Sequence, residues 1–244
     1  MKIALLGDIH ANLPALQAVL AHAALLQVET AWNVGDSVGY GPFPNQVLDL
    51  LQEKDILSIL GNYDLKTLAF PAKEAKWRKK KHPLKLLAFQ WAWQTLRPDN
   101  RSYLQSLPEQ RRLKLMAKDI LLTHASPASN KEYINSQTPK SRLRQLALAA
   151  AADICICGHS HQPFIATIDG VCFINTGSVG RPDDGDPRAC YALLELEEDS
   201  LGVTHHRVAY DVQRTVDAVL QQNLPPAFAE MFLKGRSLID IEKN

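Results

Sequence analysis

The sequence lacks any apolar run long enough to cross a bilayer, although apolar residues make up 46% and charged residues 22% of its 244 residues. A membrane-spanning helix needs about 20 consecutive apolar residues. The composition is therefore that of a soluble globular protein. The short apolar start is followed at once by Asp8 and lacks a cleavage signal, so we interpret it as a first strand. We predict a cytoplasmic protein with no membrane partner.

Cysteine is scarce as well, and its four copies show no Cys-x-x-Cys spacing. Three of them lie in apolar, strand-like segments, which favours buried free thiols in a reducing cytosol over disulfides or a zinc cluster. Internal repeats and low-complexity tracts are absent too. The length allows one large core, and we predict a single domain over residues 1–244.

Five apolar runs have the length and composition of buried strands, and helical patterns separate several of them. The runs are residues 3–6, 31–34, 56–60, 120–122 and 154–157. Asp169-Gly170 predicts a hairpin, and a strand pair at 191–196 and 203–209 follows, so we expect a largely antiparallel second half. This alternation predicts an α/β fold.

Between residues 65 and 112 the pattern changes to long helical stretches interrupted by prolines. We interpret this segment as an inserted helical cap. Its residues 73–82 form the most basic part of a chain whose net charge is only +1. The charge could steer a phosphorylated substrate or a nucleic acid, but a solvated helix face is the interpretation that we favour.

A short polar cluster follows each of the five strand-like runs. The clusters are Asp8-Ile9-His10, Gly35-Asp36, Gly61-Asn62-Tyr63-Asp64, Thr123-His124 and Gly158-His159-Ser160-His161. Ligands of open α/β sheets bind where strands end, so these side chains are expected to converge on one rim. Each one alone is better explained as a helix cap or a hydrogen-bonded core histidine. The ordered series instead indicates a metal site.

Carboxylate and amide oxygens combined with imidazoles suit Mn, Fe or Zn better than Ca or Mg. Two such divalent ions can generate a nucleophile near neutral pH and neutralise charge on a phosphoryl group. The sequence therefore predicts a two-metal hydrolytic site. Its candidate ligands are Asp8, His10, Asp36, Asn62, His124, His159 and His161.

The series Asp-x-His, Gly-Asp, Gly-Asn, His and Gly-His-x-His resembles the calcineurin-like metallophosphoesterase superfamily, in particular its small bacterial phosphodiesterase branch. The resemblance extends from Asp8 to His161 and continues through residues 175–181. It implies a four-layer α-β-β-α sandwich of two mixed sheets flanked by helices, with the metal site at one edge.

The resemblance also implies how the ligands divide between the ions. The first metal would be held by Asp8, His10 and His161. The second would be held by Asn62, His124 and His159. Asp36 would bridge the two, and a hydroxide between the metals would attack phosphorus.

Three further residues are candidates for the catalytic machinery. Tyr63 stands where the family usually has a histidine, and a phenol is a poorer proton donor than an imidazolium. We therefore expect a phosphodiesterase that acts on small esters with good leaving groups. Asp64 either orients Tyr63 or caps the local backbone. Arg181 either pairs with a phosphate oxygen or forms a surface salt bridge.

Two alternatives compete with this function. One is a binding scaffold similar to the retromer subunit, which keeps this fold without catalysis; seven intact ligand positions favour the enzyme. The other is a nucleic-acid-processing phosphodiesterase, for which the basic cap is the only particular support. The sequence leaves the oligomeric state open.

Overall fold

The structure is a computed structural model that describes residues 1–198 and 200–243. Within these residues the strands are β1 (Lys2–Leu6), β2 (Thr30–Asn33), β3 (Leu57–Ser58), β4 (Gln110–Leu115), β5 (Lys118–Thr123), β6 (Ile154–Cys157), β7 (Phe164–Ile168), β8 (Val171–Asn175), β9 (Ala189–Leu196) and β10 (Leu201–Val208). The helices are α1 (Leu13–Leu25), α2 (Pro44–Glu53), α3 (Asn62–Arg78), α4 (Pro83–Thr95), α5 (Pro98–Ser106), α6 (Lys140–Ala150), α7 (Val212–Gln221), α8 (Pro226–Lys234) and α9 (Leu238–Glu242).

The strands form two mixed five-stranded sheets. The first has the order β10-β9-β1-β2-β3, in which β1, β2 and β3 are parallel and β9 and β10 are antiparallel. The second has the order β4-β5-β6-β8-β7. Its central strands β5, β6 and β8 run parallel, so the expectation of a largely antiparallel second half is wrong at the centre of this sheet. Helix α6 supplies the crossover that parallel β5 and β6 require.

Side-chain alternation along the strands builds the layers. In β1, Ile3 and Leu5 face the other sheet, whereas Ala4 and Leu6 face the helices α1 and α2. In β6, Ile154 and Ile156 face the first sheet, and the cysteines between and after them face α6. Two mixed sheets flanked by helices are thus confirmed as the fold class. All four cysteines are buried and free.

The segment between β3 and β4 is helical and comprises α3, α4 and α5. Helix α3 begins at Asn62 and continues through Pro71, and β4 begins at Gln110, so both ends precede the predicted bounds of the cap. Strand β3, at one edge of its sheet, covers only two residues of the predicted run 56–60. In the described parts of the chain, no helix combines the length and apolarity needed to span a membrane.

The helices after β10 had no counterpart in the sequence analysis. Phe228 and Phe232 of α8 and Val219 of α7 pack with Tyr40, which lies in the loop after β2. Leu238 of α9 belongs to the same apolar cluster. Helices α7, α8 and α9 are thereby held beside the rim where the predicted ligands lie.

Candidate metal centre

Short loops after β1, β2, β5 and β6, together with the start of α3, carry the seven candidate ligands. Five of them adopt backbone conformations that non-glycine residues rarely populate. The φ angles are 52° for Asp8, 47° for His10, 53° for Asp36, 66° for His159 and 57° for His161. Such residues cost about 1–3 kcal/mol each and cluster at functional sites.

Two loops approach one another so closely that glycine is required between them. A side chain at Gly61 would overlap the backbone nitrogen and Oδ1 of Asp36, and one at Gly35, where φ is 98°, would overlap the backbone of Gly61. Glycine at both positions therefore lets the start of α3 lie directly against the loop that carries Asp36.

The first ligand group consists of Asp8, His10 and His161, whose ligand atoms all lie within 4.8 Å of one another. Asp8 Oδ1 is 3.2 Å from His161 Nε2, and the Nε2 atoms of His10 and His161 are 3.3 Å apart. All three side chains are buried. These are the residues that the resemblance assigns to the first metal.

The second ligand group consists of Asp36, His124 and His159 under the same distance limit. Asp36 Oδ2 lies 3.4 Å from His124 Nε2 and 3.8 Å from His10 Nε2 of the first group. The Asp36 carboxylate therefore lies between the two groups, as a bridging ligand would.

Asn62 joins the second group through His159. Its Nδ2 lies 2.6 Å from His159 Nδ1, while its Oδ1 accepts a hydrogen bond of 2.7 Å from Lys66. His159 is half-buried and stacks on Tyr133, with ring centroids 4.7 Å apart. The second group therefore borders the surface, unlike the first.

Two histidines are held in the tautomer that metal binding needs. His124 Nδ1 lies 2.9 Å from the Val34 carbonyl, and His161 Nδ1 lies 2.7 Å from the Arg181 carbonyl. A carbonyl only accepts, so in each ring Nδ1 carries the hydrogen. Nε2 of each ring faces the carboxylates, where a bound metal would take the place of any proton on that nitrogen, and this is how metal-ligating histidines are oriented.

Two buried polar atoms without hydrogen-bond partners also indicate a metal site. Asp8 Oδ1 and His124 Nε2 are buried and have no hydrogen-bond partner among the described residues. Buried polar atoms without partners are rare in folded proteins. Both atoms face their ligand groups, so the residues present fit divalent cations.

Asp36 and His124 of the second group stabilise each other's charged forms. Burial disfavours the charged form of His124, but the Asp36 carboxylate outweighs burial and raises the pKa of His124 to about 9. Burial acts against the Asp36 anion too, yet His124 holds the pKa of Asp36 well below its usual value. Burial, with the His124 charge, lowers the pKa of His159 to about 4, so His159 is a neutral imidazole at pH 7.

Tyr63 and Arg181 lie over the first group. The Tyr63 ring is edge-on to His10 at 5.1 Å, and its hydroxyl is 2.7 Å from the Tyr40 hydroxyl. Burial, and then Tyr40, raise the pKa of Tyr63 well above its usual value, so it is a neutral phenol. The Arg181 guanidinium is buried and lies 5.0 Å from the Tyr40 ring centroid, which is not the geometry of a surface salt bridge.

Asp64 has the geometry of a backbone cap. Its Oδ2 accepts from the backbone nitrogens of Gly61 and Ser37 at 2.9 and 3.2 Å, and its Oδ1 accepts from Val38 at 3.0 Å. Burial, followed by the nearby Asp36 charge, raises the pKa of Asp64 to about 7. Asp64 thus ties the start of α3 to the loop that carries Asp36.

A pocket of about 260 Å³ opens over the ligand groups. Its walls include side chains that the sequence analysis did not select. They are Tyr40, Lys85, Tyr133, Asp183, Ser237, Leu238 and Ile239. Lys66 is a further omission, although its position one helical turn after Asn62 on α3 was a usable signal. Tyr133 and residues 237–239 carried no such signal, because only the tertiary fold brings them to the rim.

A family model for the calcineurin-like phosphoesterase superfamily domain matches residues 1–199 of the chain. The protein belongs to this superfamily. A metallophosphoesterase from Sphaerobacter thermophilus is 30% identical; the match covers 96% of this chain and 100% of that one, with a TM-score of 0.81.

Two further proteins match over nearly their whole length. An uncharacterized protein of Methanocaldococcus jannaschii is 28% identical over 251 residues, which is 96% of this chain and 98% of its own. A hypothetical protein of Pyrococcus horikoshii shares the fold with a TM-score of 0.88 at 22% identity, over 96% of this chain and 98% of that one. The superfamily assignment therefore agrees with the two ligand groups found at the rim.

Proposed function

We propose that this protein is a metal-dependent phosphoesterase that hydrolyses small phosphodiesters at a site with two divalent ions, of Mn, Fe or Zn. The observation that carries the proposal is the placement of Asp36, whose Oδ2 lies 3.8 Å from a histidine of the first group and 3.4 Å from one of the second. One carboxylate between two ligand groups is the arrangement that a pair of closely spaced ions requires.

The seven candidate ligands would be shared between the two ions. Asp8, His10 and His161 would hold the first, Asn62, His124 and His159 the second, and Asp36 both. Bound there, the ions would supply a nucleophile at neutral pH and Lewis-acid stabilisation of the phosphoryl charge. The carbonyls of Val34 and Arg181 fix the imidazoles, which reduces the reorganisation needed on binding.

We assign Arg181 to binding of the phosphate group of the substrate. Its guanidinium lines the pocket, and its Nε is buried with no hydrogen-bond partner among the described residues. A guanidinium can donate two parallel hydrogen bonds to phosphate oxygens. In this proposal Arg181 orients the phosphate group of the substrate toward the two ligand groups.

Tyr63 supports the preference for diesters with good leaving groups. Its phenol is neutral and hydrogen-bonded to Tyr40, so it can orient a phosphate oxygen but is a poor proton donor at pH 7. A leaving group that departs readily as an anion needs no such donor.

Turnover assays with added Mn²⁺ test the proposal, using bis(p-nitrophenyl) phosphate as the diester and p-nitrophenyl phosphate as the monoester. We expect turnover of both to require the metal and kcat/KM to be higher for the diester. A protein that binds two ions per chain and turns over neither ester would be a scaffold, contrary to the proposal. Efficient cleavage of single-stranded nucleic acid, with weak action on the aryl diester, would instead indicate a nucleic-acid-processing enzyme.

A further inference from the structure

Four lysines from different parts of the chain lie within electrostatic range of one another, and one of them lines the pocket. Lys66 lies on α3, Lys81 and Lys85 lie at and just after the turn between α3 and α4, and Lys131 lies in the loop after β5. Lys85 lines the pocket directly, together with Asp36 and Tyr63. We call this set the lysine wall.

Aromatic rings and a metal-ligand candidate fix two of these amines. Lys66 Nζ donates to Asn62 Oδ1 at 2.7 Å and lies 4.8 Å from the Tyr63 ring centroid. Lys66 Nζ and Lys81 Nζ each lie 5.7 Å from the ring centroid of Phe89. Contacts of this kind hold ammonium groups in place without neutralising them.

The amines of the lysine wall lie within electrostatic range of one another. Burial is the main reason that the pKa of Lys66 is lowered to about 8; the Asp36 carboxylate acts in the opposite direction, and the charges of Lys81, Lys131 and Lys85 add to the lowering. Within the described residues, lysine ion pairs involve Lys2, Lys54, Lys114 and Lys234, and none involves the lysine wall. Lys131 is exposed, but Lys66, Lys81 and Lys85 are half-buried, and half-buried cations without an ion-pair partner beside a pocket favour the binding of an anion.

The rest of the basic segment does not share this placement. Lys73, Lys76, Lys79 and Lys80 are exposed, whereas Lys81 and Lys85 are half-buried. Only part of the charge of residues 73–82 is therefore directed at the pocket. Leu238 and Ile239 of α9 also line the pocket, whose volume of about 260 Å³ suits a small molecule rather than a long strand of nucleic acid.

We propose that the lysine wall binds a second phosphate group of the substrate, separate from the ester that is hydrolysed. The inference rests on the proposed function and narrows its substrate class to small diesters that carry an additional phosphomonoester.

The test compares two aryl diesters that differ only in that group. They are the p-nitrophenyl ester of thymidine 5′-phosphate and the same ester carrying a 3′-phosphate. With the metal-loaded wild type, we expect a KM about tenfold lower for the 3′-phosphorylated ester, which corresponds to about 1.4 kcal/mol. The double variant K81A/K85A should bring the ratio of the two KM values close to one. The matched control K79A/K80A removes the same charge from exposed positions and should keep the wild-type ratio.

A second readout is independent of turnover. Calorimetric titration of the metal-loaded protein with thymidine 3′,5′-bisphosphate and with thymidine 5′-phosphate should show tighter binding of the bisphosphate, lost in K81A/K85A and kept in K79A/K80A. Equal KM values and equal affinities in the wild type would overturn the inference while the turnover itself upheld the proposed function. An equal loss of bisphosphate affinity in both double variants would also overturn the inference, because the general positive charge of the segment, and not the lysine wall, would then explain the tighter binding. Absence of turnover with tighter bisphosphate binding would uphold the lysine wall and refute the phosphoesterase.

Discussion

The two ligand groups differ in how firmly the fold encloses them. Asp8, His10 and His161 are buried, with the Tyr63 ring and Arg181 packed over them. The second group ends at the half-buried His159, which stacks on Tyr133, a side chain that is 60% exposed. The first site is thus enclosed more deeply, although His161 reaches the pocket wall, whereas the second ends at a half-buried side chain next to an exposed ring. An ion in the first site should exchange more slowly than an ion in the second.

Replacing Asp36 should impair both ligand groups at once, because its carboxylate lies next to histidines of both. We expect Asp36→Asn to lower kcat on bis(p-nitrophenyl) phosphate by more than about 100-fold, since even residues that only support a ligand change activity by 10- to 100-fold. Elemental analysis should show loss of metal from both sites.

Asp169→Asn serves as the matched control, because Asp169 is exposed in the hairpin between β7 and β8 and pairs only weakly with Arg144, at 3.7 Å. It should keep wild-type kcat and metal content. An Asp36→Asn variant with full activity would remove Asp36 from the site.

Chelation should distinguish the two ligand groups by the order in which they lose their ions. Graded addition of EDTA should remove metal in two steps, with the ion of the second group leaving first. His159→Ala should eliminate the early step, whereas His10→Ala should eliminate the late one. The melting temperature with saturating metal should fall further for His10→Ala, because it loses both a bound ion and a buried side chain.

His82→Ala is the control for the metal analysis, since His82 is exposed and pairs with Glu242 at 3.3 Å. It should show both steps unchanged. Loss of both ions in a single step from the wild type would contradict unequal enclosure of the two groups.

Substitution of Tyr63 tests the role of the aromatic ring that packs over the first group. We expect Tyr63→His to raise the rate on aryl diesters increasingly as the leaving group becomes poorer, by about tenfold or more for the poorest, because an imidazolium can protonate the departing oxygen. The measurement is kcat across a graded series of substituted phenyl diesters. Tyr40→Phe, which removes only the hydroxyl partner of Tyr63, should leave the slope of that series unchanged. An advantage of Tyr63→His that is uniform across the series would assign Tyr63 no part in leaving-group departure.

Asp64 gives the smallest expected effect, because it supports the second group only through the backbone. Asp64→Ala removes a buried acceptor of three backbone hydrogen bonds and should lower the free energy of unfolding by about 2 kcal/mol. Urea denaturation measures the change. Asp217→Ala, at an exposed position of α7, should change it by less than about 0.5 kcal/mol. Equal stability of the two variants would show that the cap contributes nothing.

The sequence predicted the strands because strands that are buried on both faces appear as continuous apolar runs. In β1, Ile3 and Leu5 face the other sheet and Ala4 and Leu6 face the helices. The sequence did not predict the parallel centre of the second sheet, because the direction of a strand depends on which strands pair with it. The hairpin at Asp169-Gly170 correctly indicates local antiparallel pairing, but it carries no information on the longer connection through α6, which joins parallel strands.

By itself the sequence determined the chemistry available at the rim, because ligand type is a property of each side chain and order along the chain is fixed by covalent bonds. Only the tertiary structure decided which side chains share an ion, which are enclosed and which face the substrate. Those outcomes depend on segments distant in sequence approaching one another, as when Lys85, Tyr133 and residues of α9 come to line the same pocket. Distances through space set electrostatic and packing energies, and the linear order of residues carries no direct record of them.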